Sequence, residues 1–397
     1  MPPSLSLYNQ STPLANQVAG HQNVLSDESG SLVIKPALAR EIAFYQLLNS
    51  APRSSQLARL KPFVPQFYGT LRLEGQMEGG TMTAIAGEVP ESVVLQNLSH
   101  AFTHPSILDV KLGTILYAPD ASAQKKAKME AKTKEGTSLE TGLRLTGCQT
   151  WHSPSNSFIL TPKSFGKSID ASQLPSGMMR FFPLPHDTIP SLMLPSSPIP
   201  DTAATSPMEP TSHLPLPSVP ETSATSTPPS PSYTDHRISP SSLLKVLEIV
   251  EEEIRSLISV LENLEMRFIG SSLLIVYEGD EERLPDAIER YEAKKLALSN
   301  LPPRPPPNDS DEEEYDSEME SDSEGSSASS NDSLDGPKQE AKVARNCPPV
   351  TVKLIDFAHT RLAEGEGKDE GVLFGLNTLV GLLRGRQELV RKSLKAG

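Results

Sequence analysis

Pro105-Ser-Ile-Leu-Asp109-Val-Lys111-Leu-Gly113 is an apolar strand interrupted by a carboxylate and an ammonium two residues apart. Side chains alternate along a strand, so Asp109 and Lys111 project from one face. A carboxylate beside an ammonium can handle a substrate hydroxyl and the phosphate next to it. Two distant segments add to that chemistry. Val350, Val352 and Leu354 alternate up to Asp356 in Leu354-Ile-Asp356-Phe-Ala358-His359, which sets a metal-capable carboxylate at a strand end. Gly270-Ser-Ser-Leu-Leu-Ile-Val-Tyr-Glu278 is another apolar strand, opening on two hydroxyls. Phosphoryl transfer is mostly positioning and charge neutralisation around Mg2+. The three segments together therefore point to a phosphotransferase.

Each feature also has a plainer reading. A solvated ion pair on a strand is common and contributes little. Here, however, the pair lies between Ile107-Leu108 and Leu112-Gly113, where a buried strand has no packing use for charge. Lys35 ends the apolar Leu32-Val-Ile-Lys35 and Glu41 opens the next helix. A strand lysine steadied by a helix glutamate is a nucleotide-phosphate contact in kinase-type sites. The alternative is an edge-strand lysine and a glutamate favoured by the helix dipole. Ser271 and Ser272 either end a strand or offer a hydroxyl to Mg2+ or phosphates. His359 is a loop histidine or a substrate contact. Lys125, Lys128 and Lys132 fall at i, i+3 and i+7, so one helix face carries three ammoniums. That face is either solvated, in weak nucleic-acid contact, or built for a poly-anion, with Arg144, Lys163 and Lys167 able to add to it. No Walker loop and no Gly-x-Gly-x-x-Gly occurs, so P-loop and Rossmann enzymes find no support.

Composition divides the chain. Residues 183–240 hold 15 prolines among Ser and Thr, too little apolar surface to offset ordering entropy. Pro302 to Glu340 holds 13 Asp/Glu against Arg304 and Lys338, and so supplies most of the net charge of −14. Both tracts are expected to be disordered. The foldable body is then residues 14–182, 241–301 and 343–395, enough for a two-lobed enzyme. Two cysteines, Cys148 and Cys347, exclude a disulfide framework and a cysteine-built zinc site. No 18-residue apolar run and no signal-peptide pattern is present, which predicts a soluble intracellular protein.

Periodicity predicts strands at Val24–Leu25, Leu32–Lys35, Phe63–Leu73, Met82–Ile85, Val93–Leu95, Ile107–Leu112, Gly142–Trp151, Ser271–Tyr277 and Val350–Ile355. It predicts helices at Arg40–Asn49, Ser241–Leu264 and Leu373–Leu383, with Ala121–Lys134 basic and helix-prone. On composition alone the fold class is α+β.

These residues resemble the inositol polyphosphate kinases. The defining Pro-x-x-x-Asp-x-Lys-x-Gly stands intact as Pro105, Asp109, Lys111 and Gly113. Ser271-Ser-Leu-Leu274 and Asp356-Phe-Ala358 match as well. So do Phe63-Val-Pro-Gln-Phe-Tyr-Gly69, Gly142-Leu-Arg-Leu-Thr-Gly147, Phe165-Gly-Lys-Ser168 and Leu373-Phe-Gly-Leu376. Gln17-Val-Ala-Gly-His21 is similar to the multikinase branch in particular.

The resemblance implies an α+β, two-lobed fold of ATP-grasp/protein-kinase-like type with two disordered insertions. Residues 14–104 would be the ATP-binding lobe and hinge, and 105–182 the catalytic motif and inositol-phosphate segment. Residues 183–240 would be the Pro/Ser-rich insert, 241–301 a helix and strand of the second lobe, 302–342 the acidic insert, and 343–397 the metal strand and terminal helix. Carried over by position, Lys35, Glu41, Gln96, Leu98, Asp109 and Asp356 would serve ATP, the hinge residues through backbone groups. Asp109 and Lys111 would be catalytic. Asp356 and Ser272 would hold Mg2+. Lys111, Lys125, Lys128, Lys132, Lys167 and His359 would surround the inositol phosphates. Two positions depart from the pattern: Gln96-Asn97 replaces the usual Glu-Asp of the hinge, and Gln149 stands where some multikinases carry a cation.

The expected activity is ATP-dependent phosphorylation of hydroxyls on inositol tris- and tetrakisphosphates. The alternatives are an inositol hexakisphosphate kinase making pyrophosphates, or a non-catalytic nuclear scaffold. A monomer in nucleus and cytoplasm is expected, with protein partners reached through the inserts and no specific nucleic acid.

Overall fold

Period-two alternation builds two antiparallel sheets in the computed structural model, which describes residues 11–14, 24–72, 75–78, 81–84, 91–185, 187, 238–300 and 347–396. In the first lobe β1 (Thr12–Pro13), β2 (Leu25–Ser26) and β3 (Leu32–Pro36) lead into α1 (Ala39–Asn49). Then come β4 (Phe67–Leu71), the hairpin of β5 (Gly75–Glu78) and β6 (Thr81–Ala84), and β7 (Ser92–Gln96). The sheet order is β1-β2-β3-β7-β4.

The second lobe starts with β8 (Pro105–Leu112), α2 (Ala123–Glu135), α3 (Ser138–Thr141), β9 (Leu143–His152) and β10 (Ser157–Thr161). Next are α4 (Lys163–Ser168), α5 (Leu174–Phe181) and α6 (Pro240–Leu261). It closes with β11 (Met266–Ile269), β12 (Ser272–Glu278), α7 (Arg283–Ser299), β13 (Val350–Ile355), β14 (His359–Leu362) and α8 (Glu370–Ala396). Here the order is β10-β9-β8-β12-β13, with β11 and β14 as a separate pair. Among the described residues no helix is long and apolar enough to cross a membrane.

Alternation decides which side of this sheet is core. Leu108, Val110, Leu112, Leu273, Ile275, Val352 and Leu354 are all buried in the main hydrophobic cluster, to which the amphipathic α6 contributes Leu243, Leu247, Val250, Ile254 and Leu257. The other face carries Asp109 opposite Leu274 and Lys111 opposite Ser272. It turns toward the first lobe. Phe357, fully buried, makes the joint: its ring stacks on Phe44 of α1 at 4.1 Å and meets Tyr45 edge-on at 5.5 Å.

Several expectations need correction. Residues 57–63 form a 3₁₀ turn containing Pro62, so the strand expected over 63–73 is confined to β4. The terminal helix runs from Glu370 rather than Leu373 and extends to Ala396. Helix α7 was not anticipated, although Leu284, Ala287 and Ile288 bury one side of it.

The Pro-rich insert is shorter than 183–240, because both its ends are packed into the body. Leu184 and Ile238 are core residues. Ser239 caps α6 by accepting from the Ser242 N–H at 3.1 Å. Asp187 pairs with the buried guanidinium of Arg386, which also donates to Phe182 O at 2.9 and 2.6 Å. Most of that tract, the acidic tract at 302–342 and Gln17–His21 lie outside the described residues.

This sharpens a test. Removing one partner of a buried ion pair leaves a charge uncompensated and costs about 3–5 kcal/mol. Asp187→Ala is therefore expected to lose that much in urea denaturation. Replacing residues 191–235 with a Gly/Ser linker should leave the thermal transition nearly unmoved.

Candidate active site

Lys35 is the centre of the cluster. It leaves β3 with its ammonium 2.9 Å from Glu41 Oε1 and 2.7 Å from Asp356 Oδ1. Glu41 sits in the first turn of α1, where the helix dipole favours a carboxylate, and is almost fully buried. Burial alone would lower the Lys35 pKa. Asp356 and Glu41 together outweigh it, so the lysine is held above its ordinary value and stays charged.

Asp356 comes from the turn between β13 and β14 and has φ = +66°, in the left-handed region that Asp tolerates better than most residues. Phe357, locked between the lobes, fixes that turn. The Asp356 carboxylate is thereby shared, with Oδ1 on Lys35 and Oδ2 3.9 Å from Lys111 Nζ. Lys111 is anchored in turn by donating to Gly270 O at 2.6 Å.

Asp109 is deeper, at 4% exposure. Burial raises its pKa, only partly opposed by the Thr146 hydroxyl, Lys111 and Ser272, while Asp356 adds to the rise. Its Oδ1 and the Ser272 hydroxyl are buried, and neither has a hydrogen-bond partner. The Thr146 and Ser272 hydroxyls are near enough to lower the carboxyl's pKa, yet Oδ1 is left without a partner. Buried polar atoms left unpaired are costly, and two of them here face the side of the sheet that carries Lys111. The register also places Arg144 directly across from Lys111. Burial lowers the Arg144 pKa and Asp109 opposes this, so Arg144 belongs to the same cluster.

A cavity of about 350 Å³ opens beside the Asp356 turn, lined by Arg40, Asp120, Lys125, Ala358 and His359 among others. Burial, Lys125 and Arg40 together hold His359 below the usual histidine range. Lys125 is one of the residues lining this cavity. Lys128, Lys132 and Lys167 are exposed, and none of the three lines the cavity. Helix α4, which carries Lys167, presses Gly166 against Leu145 O.

The hinge is partly spent on structure. The Gln96 N–H donates to Gln66 O at 2.9 Å, which leaves its carbonyl and side chain for a ligand. Leu98 is buried next to it. Asn97 Nδ2 donates to Gly30 O at 2.7 Å, a bond that an aspartate could not make. Gln149 is also structural. It is buried and donates to Pro105 O at 2.9 Å, holding the start of β8.

Mg2+ fits this donor set. Among the described residues no group of three or more His, Cys, Asp or Glu side chains could hold a metal. Mg2+ does not need one, because it takes one or two protein carboxylates and fills its shell from phosphates and water. Asp356 and the unpartnered Ser272 hydroxyl would supply the protein's share.

The chain is 29% identical over 172 residues to the inositol polyphosphate multikinase of Schizosaccharomyces pombe, covering 42% of this chain and 61% of that protein. It is 26% identical over 408 residues to the multikinase of Saccharomyces cerevisiae, covering 92% and 96%. Human inositol hexakisphosphate kinase 3 is 23% identical over 322 residues, with 77% of this chain matched to 55% of that protein. In structure the chain is similar to the S. cerevisiae inositol phosphate multikinase solved with ADP and Mn2+, at a TM-score of 0.51 and 21% identity over 89% of this chain and 98% of that one. That likeness speaks for the fold. The family model for inositol polyphosphate kinase matches residues 92–193 and 232–384, more than half of the chain and every strand of the second sheet, so this protein is a member of the inositol polyphosphate kinase family.

Proposed function

We propose that this chain is an ATP-dependent inositol polyphosphate multikinase that phosphorylates ring hydroxyls of inositol tris- and tetrakisphosphates. What carries the reading is the junction of Lys35, Glu41, Asp356 and Lys111 beside two buried, unpartnered oxygens, Asp109 Oδ1 and Ser272 Oγ. The match to the S. cerevisiae multikinase, over 92% of this chain against 77% for human inositol hexakisphosphate kinase 3, supports the choice within the family.

Lys35, steadied by Glu41, pairs with the nucleotide phosphates. Asp356 with Ser272 would hold Mg2+, whose charge would neutralise that of the nucleotide phosphates. Gln96 and Leu98 offer hinge groups to the base. Asp109 accepts the proton of the attacking ring hydroxyl, a task suited to a carboxyl whose proton affinity burial has raised. Lys111 steadies the phosphoryl group in transit. Lys125 and His359 hold acceptor phosphates at the cavity mouth, and Lys128, Lys132 and Lys167 meet those that project further.

The lysines test the acceptor side. A charge-assisted contact to phosphate is worth roughly 1.5–3 kcal/mol where water is partly excluded, and an open site screens part of that. Lys125→Ala should raise the acceptor KM on the order of tenfold, with smaller rises for Lys128→Ala and Lys132→Ala. The KM for ATP should hardly move. An unchanged acceptor KM in the triple variant would return α2 to a solvated basic helix.

A further inference from the structure

Helix α2 is fastened to the body at its C-terminal end. Of its thirteen residues only Thr133 is buried, and just beyond the helix Thr137 donates to Leu143 O at 2.6 Å. The N-terminal end is held by a different device. Asp120, shortly before the Ser122 cap, accepts from both terminal nitrogens of Arg40, at 3.3 and 2.5 Å. Arg40 belongs to α1, so this two-pronged bridge joins the lobes. It stands on the rim of the cavity that Lys125 and His359 also line. Burial, then Lys125 and Arg40, hold the His359 pKa low and Asp120 opposes them, so the three charged groups are within electrostatic reach of His359.

The same α1 carries Glu41, which steadies Lys35. One helix therefore grips the phosphate-binding lysine on one side and the acceptor-side segment on the other. The Arg40 and Asp120 side chains are 50% and 61% exposed. An ion pair that open adds little to stability. Its geometry is another matter, because small misplacements of a binding group are expensive in a site that works by positioning.

We propose that Arg40 and Asp120 form an interlobe clasp: positioning residues that set the N-terminal end of α2, and Lys125 with it, against the nucleotide lobe. This rests on the reading of the α2 side as the acceptor site. The clasp does not touch the acceptor. It fixes the group that does, and it makes acceptor binding depend on how α1 is seated.

Steady-state kinetics on the full chain, with inositol trisphosphate and ATP varied in turn, tests this together with a thermal melt. Arg40→Ala and Asp120→Ala should each raise the acceptor KM about 3–10-fold, and the double variant should be no worse than either. The KM for ATP should stay within about twofold and Tm within about 2 °C. The exchanged pair, Arg40→Asp with Asp120→Arg, should recover most of the loss.

Three results would overturn the clasp. If Asp120→Ala left the acceptor KM unchanged or lowered it while Arg40→Ala raised it, Arg40 would be a direct phosphate ligand. Additive losses in the double variant would say the same. No change in either single variant would remove the role altogether. Lys125→Ala, run alongside, separates the two levels: a raised KM there with silent clasp variants defeats the clasp and keeps the acceptor site, whereas silence in all three defeats both.

Discussion

Asp356→Asn is expected to cut kcat by about a thousandfold or more while the protein stays folded. Asp356 offers charge to Lys35 through one oxygen and faces Lys111 with the other, and it is the carboxylate assigned to Mg2+. Losing electrostatic stabilisation at a single preorganised donor typically costs 10²–10³-fold. Here the metal share is lost as well, and Lys35 and Lys111 lose the carboxylate they share. Asparagine is the informative substitute, since it also tolerates φ = +66°. Alanine would add backbone strain of about 1–2 kcal/mol and blur the outcome. Single-turnover kinetics beside a thermal melt reads both effects. Near-normal turnover in a folded Asp356→Asn would remove Asp356 from the site.

Asp109→Asn should have opposite effects on activity and stability. Turnover should fall by about 10²–10⁴-fold, the range for losing a positioned general base. Stability at neutral pH should rise. Burial is the largest influence on Asp109, and its folded pKa lies above the ordinary value. The folded state thus binds the proton more tightly than the unfolded chain does. Its stability contribution is therefore full below the unfolded pKa of about 4 and is lost as pH rises through the folded pKa. Asparagine keeps the neutral form at every pH. The variant's Tm should exceed that of the wild type at pH 7–8, and the gap should close as the pH falls toward 4. A variant less stable than wild type at pH 7 would mean that the ionised carboxylate is a net structural asset.

What the sequence made legible was local or periodic. The alternation in Ile107–Leu112 puts Asp109 and Lys111 on one face, and the register against β12 does the same. Lys35 and Glu41 are close in sequence, and the strand-to-helix connection brings them to 2.9 Å. The lysine periodicity finds helix α2, yet only Lys125 among the three reaches the cavity, because a helix face does not say what it looks at.

Long-range pairing left no periodic trace. Arg386 and Asp187 are 199 residues apart, and Pro-rich composition masked the aspartate's place in the body. Arg40 and Asp120 are 80 residues apart, and nothing local in the sequence pairs them. The sequence around Gly142 and Gly375 gives no reason for a glycine at either position. The structure supplies it: a Cβ on Gly375 would lie 2.2 Å from Gly142 O, where α8 crosses the start of β9. Helix α7 had a signal in Leu284, Ala287 and Ile288, but only one side of its first half is buried and the charged remainder hides the stripe.

The most direct test of the central claim is to incubate the purified full chain with Mg2+-ATP and, separately, inositol tris-, tetrakis- and hexakisphosphates, then resolve the products by anion exchange. The account predicts that tris- and tetrakisphosphates shift to later-eluting species carrying one or more added phosphates, with ADP formed in step and with none of this in Asp356→Asn. Conversion of the hexakisphosphate alone, or no transfer to any of the three, would contradict it.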